Sequence, residues 1–118
     1  MDLVELMKAL SHQNRLRIIN LISKKELCVC ELEYIMDLNQ SNVSRHLRKL
    51  KQANIISGER DAQWIHYSLN KNTFKKHPFL KLLLKEELGN MEICKKDNNQ
   101  FKKYENSGLS CKDLREDV

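Results

Sequence analysis

Apolar residues recur with helical spacing in the middle of the chain, within residues 40–50. Val43, Leu47 and Leu50 fall at positions i, i+4 and i+7, which predicts an amphipathic helix with one narrow apolar stripe. We expect Asn39 to cap this helix, because its side chain can accept an amide hydrogen that the first turn leaves without a partner. Another face carries hydroxyl, amide and guanidinium groups and no acid, which suits a helix laid against DNA.

A second, shorter helical pattern comes just before it. Residues 26–36 predict a helix with Leu32, Ile35 and Met36 turned inward, and residues 37–39 form a tight turn. Two short helices joined in this way match a helix-turn-helix, whose second helix enters the major groove. Any two-helix hairpin could show the same stripe, so the pattern alone leaves DNA binding open.

The N-terminal segment predicts two further helices. The first is short and amphipathic, and its apolar residues are Leu3, Leu6, Met7 and Leu10. We expect Ser11 to cap the second helix, whose broad apolar face indicates the centre of the core. That face consists of Leu16, Ile18, Ile19, Leu21 and Ile22. Arg15 and Arg17 are expected to be solvated or to face phosphates.

After the helix within residues 40–50, which would be the recognition helix of the helix-turn-helix, the sequence pattern becomes typical of β-strands. Residues 53–54 predict a turn, in which Asn54 can take the left-handed conformation. Two short runs rich in β-branched and aromatic residues follow, at 55–60 and 64–69. They predict a β-hairpin, the wing of a winged helix. We expect its Arg60, Gln63 and His66 to be offered to phosphates or the minor groove, although His66 is more simply an ordinary outward strand residue. The predicted fold class is mainly α with a β-hairpin wing (α+β), a winged helix-turn-helix.

The C-terminal third divides into a leucine-rich helix and a polar segment. Pro78 fits the first turn of a helix that runs through Leu88 and stops at Gly89. Its leucines exceed what one helix can bury, which predicts a two-fold homodimer interface shared with the first helix. Such a dimer would place two recognition helices about 34 Å apart.

Residues 90–118 are polar, and we expect a loose helix or a disordered tail there. The predicted organisation is a DNA-binding and dimerisation domain at residues 1–89, followed by a tail that contains Cys94 and Cys111.

Length and composition limit the possible functions. The chain has 118 residues, of which 41% are hydrophobic and 31% charged, enough for one compact domain. No apolar run approaches the roughly 20 residues of a membrane span, and the acidic start lacks the features of a signal peptide. We therefore expect a cytoplasmic protein with no membrane partner. An enzyme is disfavoured, since there is no nucleophile–base–acid constellation and the 3 glycines form no phosphate-binding loop.

The positive charge is concentrated on the predicted recognition helix. The formal net charge is +5, and residues 38–58 carry four basic and no acidic side chains, whereas both ends are near neutral. An electrostatic footprint for nucleic acid would have this distribution. A solvated basic face remains the alternative.

Four cysteines are too few for a disulfide scaffold, so in a reducing compartment they are thiols or metal ligands. Cys28 and Cys30 lie at the start of a predicted helix, where free amides favour the thiolate that soft ions prefer. Free cysteines are more usually small buried hydrophobes. Side chains two apart point to nearly opposite faces of a helix. Both sulfurs can reach one ion only if Cys28 takes the extended cap position or the first turn deforms, so ion binding should distort this element.

Three segments together resemble the ArsR/SmtB family of metal-sensing winged-helix repressors. They are Glu-Leu-Cys-Val-Cys-Glu-Leu at 26–32, Gln-Ser-Asn-Val-Ser-Arg-His-Leu-Arg-Lys-Leu at 40–50, and Trp-Ile-His-Tyr-Ser-Leu at 64–69. The resemblance covers residues 3–88. It implies a homodimer that represses a metal- or metalloid-resistance operon and leaves double-stranded operator DNA when the ion binds. The candidate DNA-binding residues are Gln40, Ser41, Asn42, Ser44, Arg45, Arg48, Arg60 and Gln63.

The resemblance also suggests the inducer. Arsenic-sensing members commonly carry a third cysteine one turn beyond the pair, where this chain has Glu33. As(III) or Sb(III) takes three sulfurs, so the third must come from elsewhere or be absent. The candidates are Cys111 and Cys94, from the same chain or from the partner chain. We favour Cys111 over Cys94, because a flexible tail with a nearby glycine can fold over a distant site. The candidate metal ligands are thus Cys28, Cys30 and Cys111.

Other inducers remain open. Cadmium and lead sensors, for Cd(II) or Pb(II), share the pair but take further thiolates from an N-terminal extension, which we do not expect here. Zinc sensors use ligands on the last long helix, and His77 and Glu87 match that spacing poorly. A thiol-redox repressor would use the same cysteines, and a DNA-binding module with inert cysteines is a further alternative.

Overall fold

A computed structural model describes residues 2–116 of the chain. In chain order its elements are α1 (Leu3–Leu10), α2 (Gln13–Ile22), α3 (Val29–Met36), α4 (Gln40–Gln52), β1 (Ile56–Asp61), β2 (Trp64–Leu69), α5 (Lys71–Lys76), α6 (Phe79–Leu82), α7 (Glu92–Ser107) and α8 (Cys111–Glu116). Helix α6 continues through a π-helical turn, Leu83–Glu87, and a 3-10 turn, Leu88–Asn90. This order confirms the predicted winged helix-turn-helix. Within the described range, no helix is both long and apolar enough to cross a membrane.

Helices α3 and α4 form the predicted helix-turn-helix. Asp37 ends α3 in the left-handed conformation, with φ 54°. Asn39 then caps α4, as predicted, because its Oδ1 accepts a hydrogen bond from the Asn42 amide at 2.9 Å. The predicted stripe of α4 is buried, as are the three inward residues of α3. The sequence therefore located both helices, although α3 begins at Val29 rather than at residue 26.

Helix α2 lies at the centre of the core, as its broad apolar face predicts. Ile18, Ile19, Leu21 and Ile22 are all almost fully buried. Its N-cap differs from the prediction: His12, not Ser11, takes the extended cap conformation, and its Nδ1 accepts from the Asn14 amide at 3.1 Å.

The wing is the antiparallel hairpin of β1 and β2, with Ile56 opposite Leu69 and Asp61 opposite Trp64. Asn54 before β1 adopts φ 57°, as predicted for the turn. Tyr67 of β2 also pairs with Leu27, through main-chain N–O distances of 2.9 and 3.2 Å. This bridge attaches the segment just before α3 to the wing.

The C-terminal segment is more ordered than its polarity predicts. Helices α7 and α8 occupy residues 92–107 and 111–116 of the segment for which we expect a loose helix or a disordered tail, and α7 is packed against α2 and α3. Three residues of α7 are buried: Cys94, Asp97 and Tyr104. Because Asp97 is charged, the hydropathy pattern of this segment does not indicate a packed helix. Residues 117–118 of the predicted tail lie outside the described range, and the division at residue 89 stays a prediction.

Candidate functional site

The cysteine pair occupies the first turn of α3. Cys28 is the N-cap residue and has extended backbone angles, φ −96° and ψ 171°, whereas Cys30 lies inside the helix. Because the cap residue is not helical, its side chain can turn toward Cys30 despite the two-residue spacing. The two sulfurs lie 2.9 Å apart. This is the extended cap geometry that the sequence requires for the pair to reach one ion.

Cys111, the first residue of α8, brings a third sulfur to the same place. Its Sγ contacts the Sγ atoms of both Cys28 and Cys30, and the three sulfurs all lie within 4.8 Å of one another. One sulfur can form only one disulfide, so a single covalent pair does not account for the set. The structure therefore brings together the three residues that the sequence nominates as ligands. We call this group the sulfur cluster.

Cys94, the other candidate for a third ligand, lies apart from the sulfur cluster. It is a free thiol, fully buried in α7. Burial and the neighbouring Asp97 carboxylate raise the pKa of the Cys94 thiol, which keeps it protonated at neutral pH.

The sulfur cluster fits a soft ion that takes three sulfurs. Within residues 2–116, the group that could hold an ion consists of Cys28, Cys30 and Cys111, with no imidazole or carboxylate among its donors. Thiolates select soft metals and metalloids, while a hard cation would require oxygen donors.

Glu31, which the sequence analysis missed, joins the sulfur cluster to the C-terminal helix. One carboxylate oxygen accepts from the Cys28 amide at 3.0 Å, and the other accepts a short hydrogen bond from the Tyr104 hydroxyl. Burial and this hydrogen bond raise the pKa of Tyr104, so the phenol stays protonated and donates. The local signal was available: a glutamate three residues after an N-cap is the spacing of a capping box.

Helix α7 is also held to α2 by a buried ion pair. Arg17 donates to both carboxylate oxygens of Asp97, at 2.7 and 2.9 Å, and to the main-chain oxygen of Met36 at 3.1 Å. The expectation of a solvated or phosphate-facing Arg17 is therefore wrong. The pair connects α7 to the C-terminal end of α3, opposite the sulfur cluster on that helix.

A cavity of about 470 Å³ lies beside the sulfur cluster. Its lining residues are Lys25, Glu26, Glu31, Trp64, His66, Ser110, Cys111 and Lys112. His66 of β2 is thus half-buried on the side of the wing that faces the cavity, and its Nε2 lies 3.9 Å from an Asp61 carboxylate oxygen. Of the three cysteines in the sulfur cluster, Cys111 is the one that lines this cavity.

The candidate DNA-binding residues lie on two exposed surfaces. On α4, Gln40, Ser41, Arg45 and Arg48 are exposed, while Asn42 and Ser44 are half-buried. Arg45 donates to the Asn42 side-chain oxygen at 3.1 Å. At the wing, Arg60 is exposed near the end of β1, and Gln63 is exposed in the turn between the strands. Their contact with DNA remains a prediction.

His46 is a buried polar residue on the inward face of α4 that the sequence analysis did not single out. Its ring lies 4.3 Å from the His12 ring, and its Nδ1 is 3.4 Å from an Arg15 guanidinium nitrogen. Burial first, and then the charges of His12, Arg15 and Arg45, lower the pKa of His46 to about 4. The signal was positional, because residue 46 falls at i+3 from Val43 on the apolar stripe.

An apolar surface remains exposed on α1 and α6. Leu3, Val4 and Met7 of α1 and Leu82 of α6 are each at least half exposed. These are the two helices on which the sequence analysis placed the two-fold interface.

Comparison with known proteins gives a consistent set of relatives. The profile described as "Bacterial regulatory protein, arsR family" matches residues 12–57. The arsenic resistance transcriptional regulator ArsR1 of Pseudomonas putida is 42% identical over 64 residues, 53% of this chain and 50% of that protein. The arsenical resistance operon repressor of Escherichia coli is 37% identical over 57% of this chain and 58% of the relative. The cadmium resistance regulatory protein CadC of Listeria innocua is 36% identical over 51% of each chain. This chain therefore spans about half the length of the curated relatives it matches.

Solved structures give the same fold. Reduced HlyU from Vibrio cholerae aligns with a TM-score of 0.62 and 31% identity, covering 71% of this chain and 86% of that one. The transcriptional repressor PagR of Bacillus anthracis aligns with a TM-score of 0.58 and 36% identity, covering 68% of this chain and 90% of that one.

Proposed function

The chain belongs to the ArsR family of bacterial regulatory proteins, and on this premise we propose that it represses a metalloid-resistance operon. As a homodimer it binds operator DNA through α4 and the wing. It leaves the DNA when As(III) or Sb(III) binds the thiolates of Cys28, Cys30 and Cys111. The observation that carries this proposal is the convergence of three sulfurs at the N-cap of α3. A repressor of this kind works in the cytoplasm, where thiols stay reduced.

The DNA-binding part of the proposal is supported by charge and position. The exposed residues of α4 include Arg45 and Arg48, and the buried stripe on its other side holds the helix on the core. Guanidinium and hydroxyl groups at such positions contact phosphates and base edges. The exposed apolar side chains of α1 and α6 support a two-fold interface, which would present two recognition helices to successive major grooves.

The inducer acts at a position that controls α3. Arsenous acid exchanges its three hydroxyl groups for three cysteine sulfurs: three As–O bonds break, three As–S bonds form, and each hydroxyl leaves as water with the proton of one thiol, with no change in oxidation state. The bound ion fixes the cap of α3 and, through Cys111, the start of α8. Because α3 packs against α4, a change in the first turn of α3 shifts the recognition helix. This is a coupling between two sites, and such couplings are typically about 1–3 kcal/mol.

A cadmium- or lead-responsive repressor is the second candidate, because the cadmium regulator CadC is among the relatives and soft divalent ions also prefer thiolates. A thiol-redox repressor is the third, since Cys111 contacts both partner sulfurs.

Titration of the operator complex tests all three candidates. Fluorescence anisotropy of labelled operator DNA would be followed during addition of arsenite, antimonite, Cd(II), Pb(II) and hydrogen peroxide. We expect arsenite and antimonite to release the DNA at the lowest concentrations. Release by peroxide alone would favour the redox reading, and sedimentation of the complex would report whether two chains bind.

A further inference from the structure

Glu31 places one negative charge next to the sulfur cluster, at the wall of the adjacent cavity, with only 7% of the residue exposed. Its side chain is buried, and it makes hydrogen bonds to the Cys28 amide and the Tyr104 hydroxyl. Both oxygens act as acceptors, as those of an ionised carboxylate do. Glu31 directly follows Cys30 in the chain and accepts from the Cys28 amide, so its carboxylate lies at the same first turn of α3 as these two cysteines.

The total charge of the loaded cluster depends on the ion. Three thiolates carry three negative charges, so a complex with trivalent arsenic or antimony is neutral. A complex with Cd(II) or Pb(II) keeps one negative charge, and a water molecule as fourth ligand leaves that charge unchanged. A buried carboxylate disfavours a second negative charge beside it but interacts weakly with a neutral complex.

We propose that Glu31 determines ion selectivity, favouring trivalent over divalent ions by electrostatic repulsion of the charged complex. This inference rests on the proposed function, since it presupposes that the sulfur cluster binds the inducer. For two unit charges about 6 to 10 Å apart at an effective dielectric constant of about 20, the discrimination is roughly ten- to hundredfold in relative affinity.

Two lysines near the cluster act in the opposite direction but more weakly. Lys25 and Lys112 line the adjacent cavity, and both are exposed. Solvent screens them, and Lys25 is engaged with Glu105 at 3.1 Å. Glu31 is therefore the least screened of these charges.

The substitution Glu31→Gln tests the proposal with little change of shape. Glutamine also serves at the third position of a capping box, and its amide can accept from Cys28 and pair with the Tyr104 hydroxyl. Affinities of the DNA-free dimer for arsenite, antimonite, Cd(II) and Pb(II) would be measured by competition with small-molecule chelators. We expect the divalent-to-trivalent affinity ratio to rise by roughly ten- to hundredfold, with arsenite affinity changed by less than about threefold.

Three variants separate charge from structure. Glu92→Gln removes the same charge from the exposed first turn of α7, about 18 Å along the helix from Tyr104, and should leave the ratio unchanged. Tyr104→Phe keeps the Glu31 charge but removes the hydrogen bond between Glu31 and α7, so the affinities for all four ions should fall by a similar factor. Lys112→Met removes an exposed positive charge, so the ratio should fall a few fold, and this variant carries the test if Glu31→Gln does not fold.

An unchanged ratio in Glu31→Gln, or a parallel loss for every ion, would overturn the charge inference alone. Failure of the proposed function looks different: serine at Cys28, Cys30 or Cys111 would then leave binding of all ions as it is in the wild type.

Discussion

Arg17 and Asp97, 80 residues apart in the chain, form a buried two-oxygen ion pair that fastens α7 to the centre of the core. The side chain of each is less than a tenth exposed. Helix α7 carries Tyr104 and leads to Cys111, so this pair positions the C-terminal part of the sulfur cluster.

Replacing Asp97 with alanine should destabilise the protein by about 3–5 kcal/mol, because the Arg17 guanidinium would be left buried without a counter-charge. Urea unfolding followed by circular dichroism measures this. The double substitution Arg17→Met with Asp97→Leu removes both charges and should cost less. Glu105→Ala, which breaks the exposed pair with Lys25, should cost less than about 1 kcal/mol. If Asp97→Ala and Glu105→Ala lowered the free energy of unfolding by the same amount, burial would not explain the strength of the Arg17–Asp97 pair.

Serine at Cys28, Cys30 or Cys111 should leave operator affinity within about twofold of the wild type and abolish release by arsenite. In the wild type we expect a loss of affinity of about 5–150-fold on ion binding, the usual range for such couplings. Anisotropy titrations with and without arsenite give both quantities. Cys94→Ala is the matched control, because Cys94 is a buried thiol outside the sulfur cluster, and its response to arsenite should be normal. If Cys111→Ser were released from DNA by arsenite as readily as the wild type, Cys111 would not be a ligand of the ion.

Local rules were enough to predict the helix-turn-helix and the wing. The cap at Asn39 follows from residue type and position, the stripe of Val43 and Leu47 from helical period, and the hairpin from alternation. Each of these depends on neighbours within a few residues in sequence.

The packing of α7 could not be predicted in the same way. Cys28 and Cys111 are 83 residues apart, and their contact depends on how α7 docks. That docking rests on Asp97, whose burial is favourable only because Arg17 is there to neutralise it. Cys111 was nominated through the resemblance to arsenic-sensing repressors, because As(III) or Sb(III) takes three sulfurs and this chain has Glu33 where those proteins commonly carry the third cysteine. Glu31 was missed although its capping-box spacing is local.

Alanine at Arg45 or Arg48 should weaken operator binding and flatten its dependence on salt. Each phosphate contact that is lost lowers the slope of log affinity against log salt concentration by about 0.9. Binding measured between about 50 and 200 mM salt gives the slope. Lys95→Ala is the charge-matched control, because Lys95 is exposed on α7 and pairs with Glu92, so its slope should not change. Unchanged slopes in both arginine variants would exclude a phosphate role for these residues.

His46 should make the protein less stable as the pH falls from about 6.5 toward 4. Burial lowers the pKa of His46 from its ordinary value of 6.5 to about 4 in the folded chain, so in this range the unfolded chain binds a proton that the folded one does not. The free energy of unfolding therefore drops with decreasing pH, by at most about 1.4 kcal/mol per pH unit and about 3 kcal/mol in total. Urea unfolding between pH 4 and 7 measures the slope. His46→Gln should flatten it, whereas His66→Gln on the wing should retain the wild-type slope, and an equally steep slope in His46→Gln would assign the effect to another group.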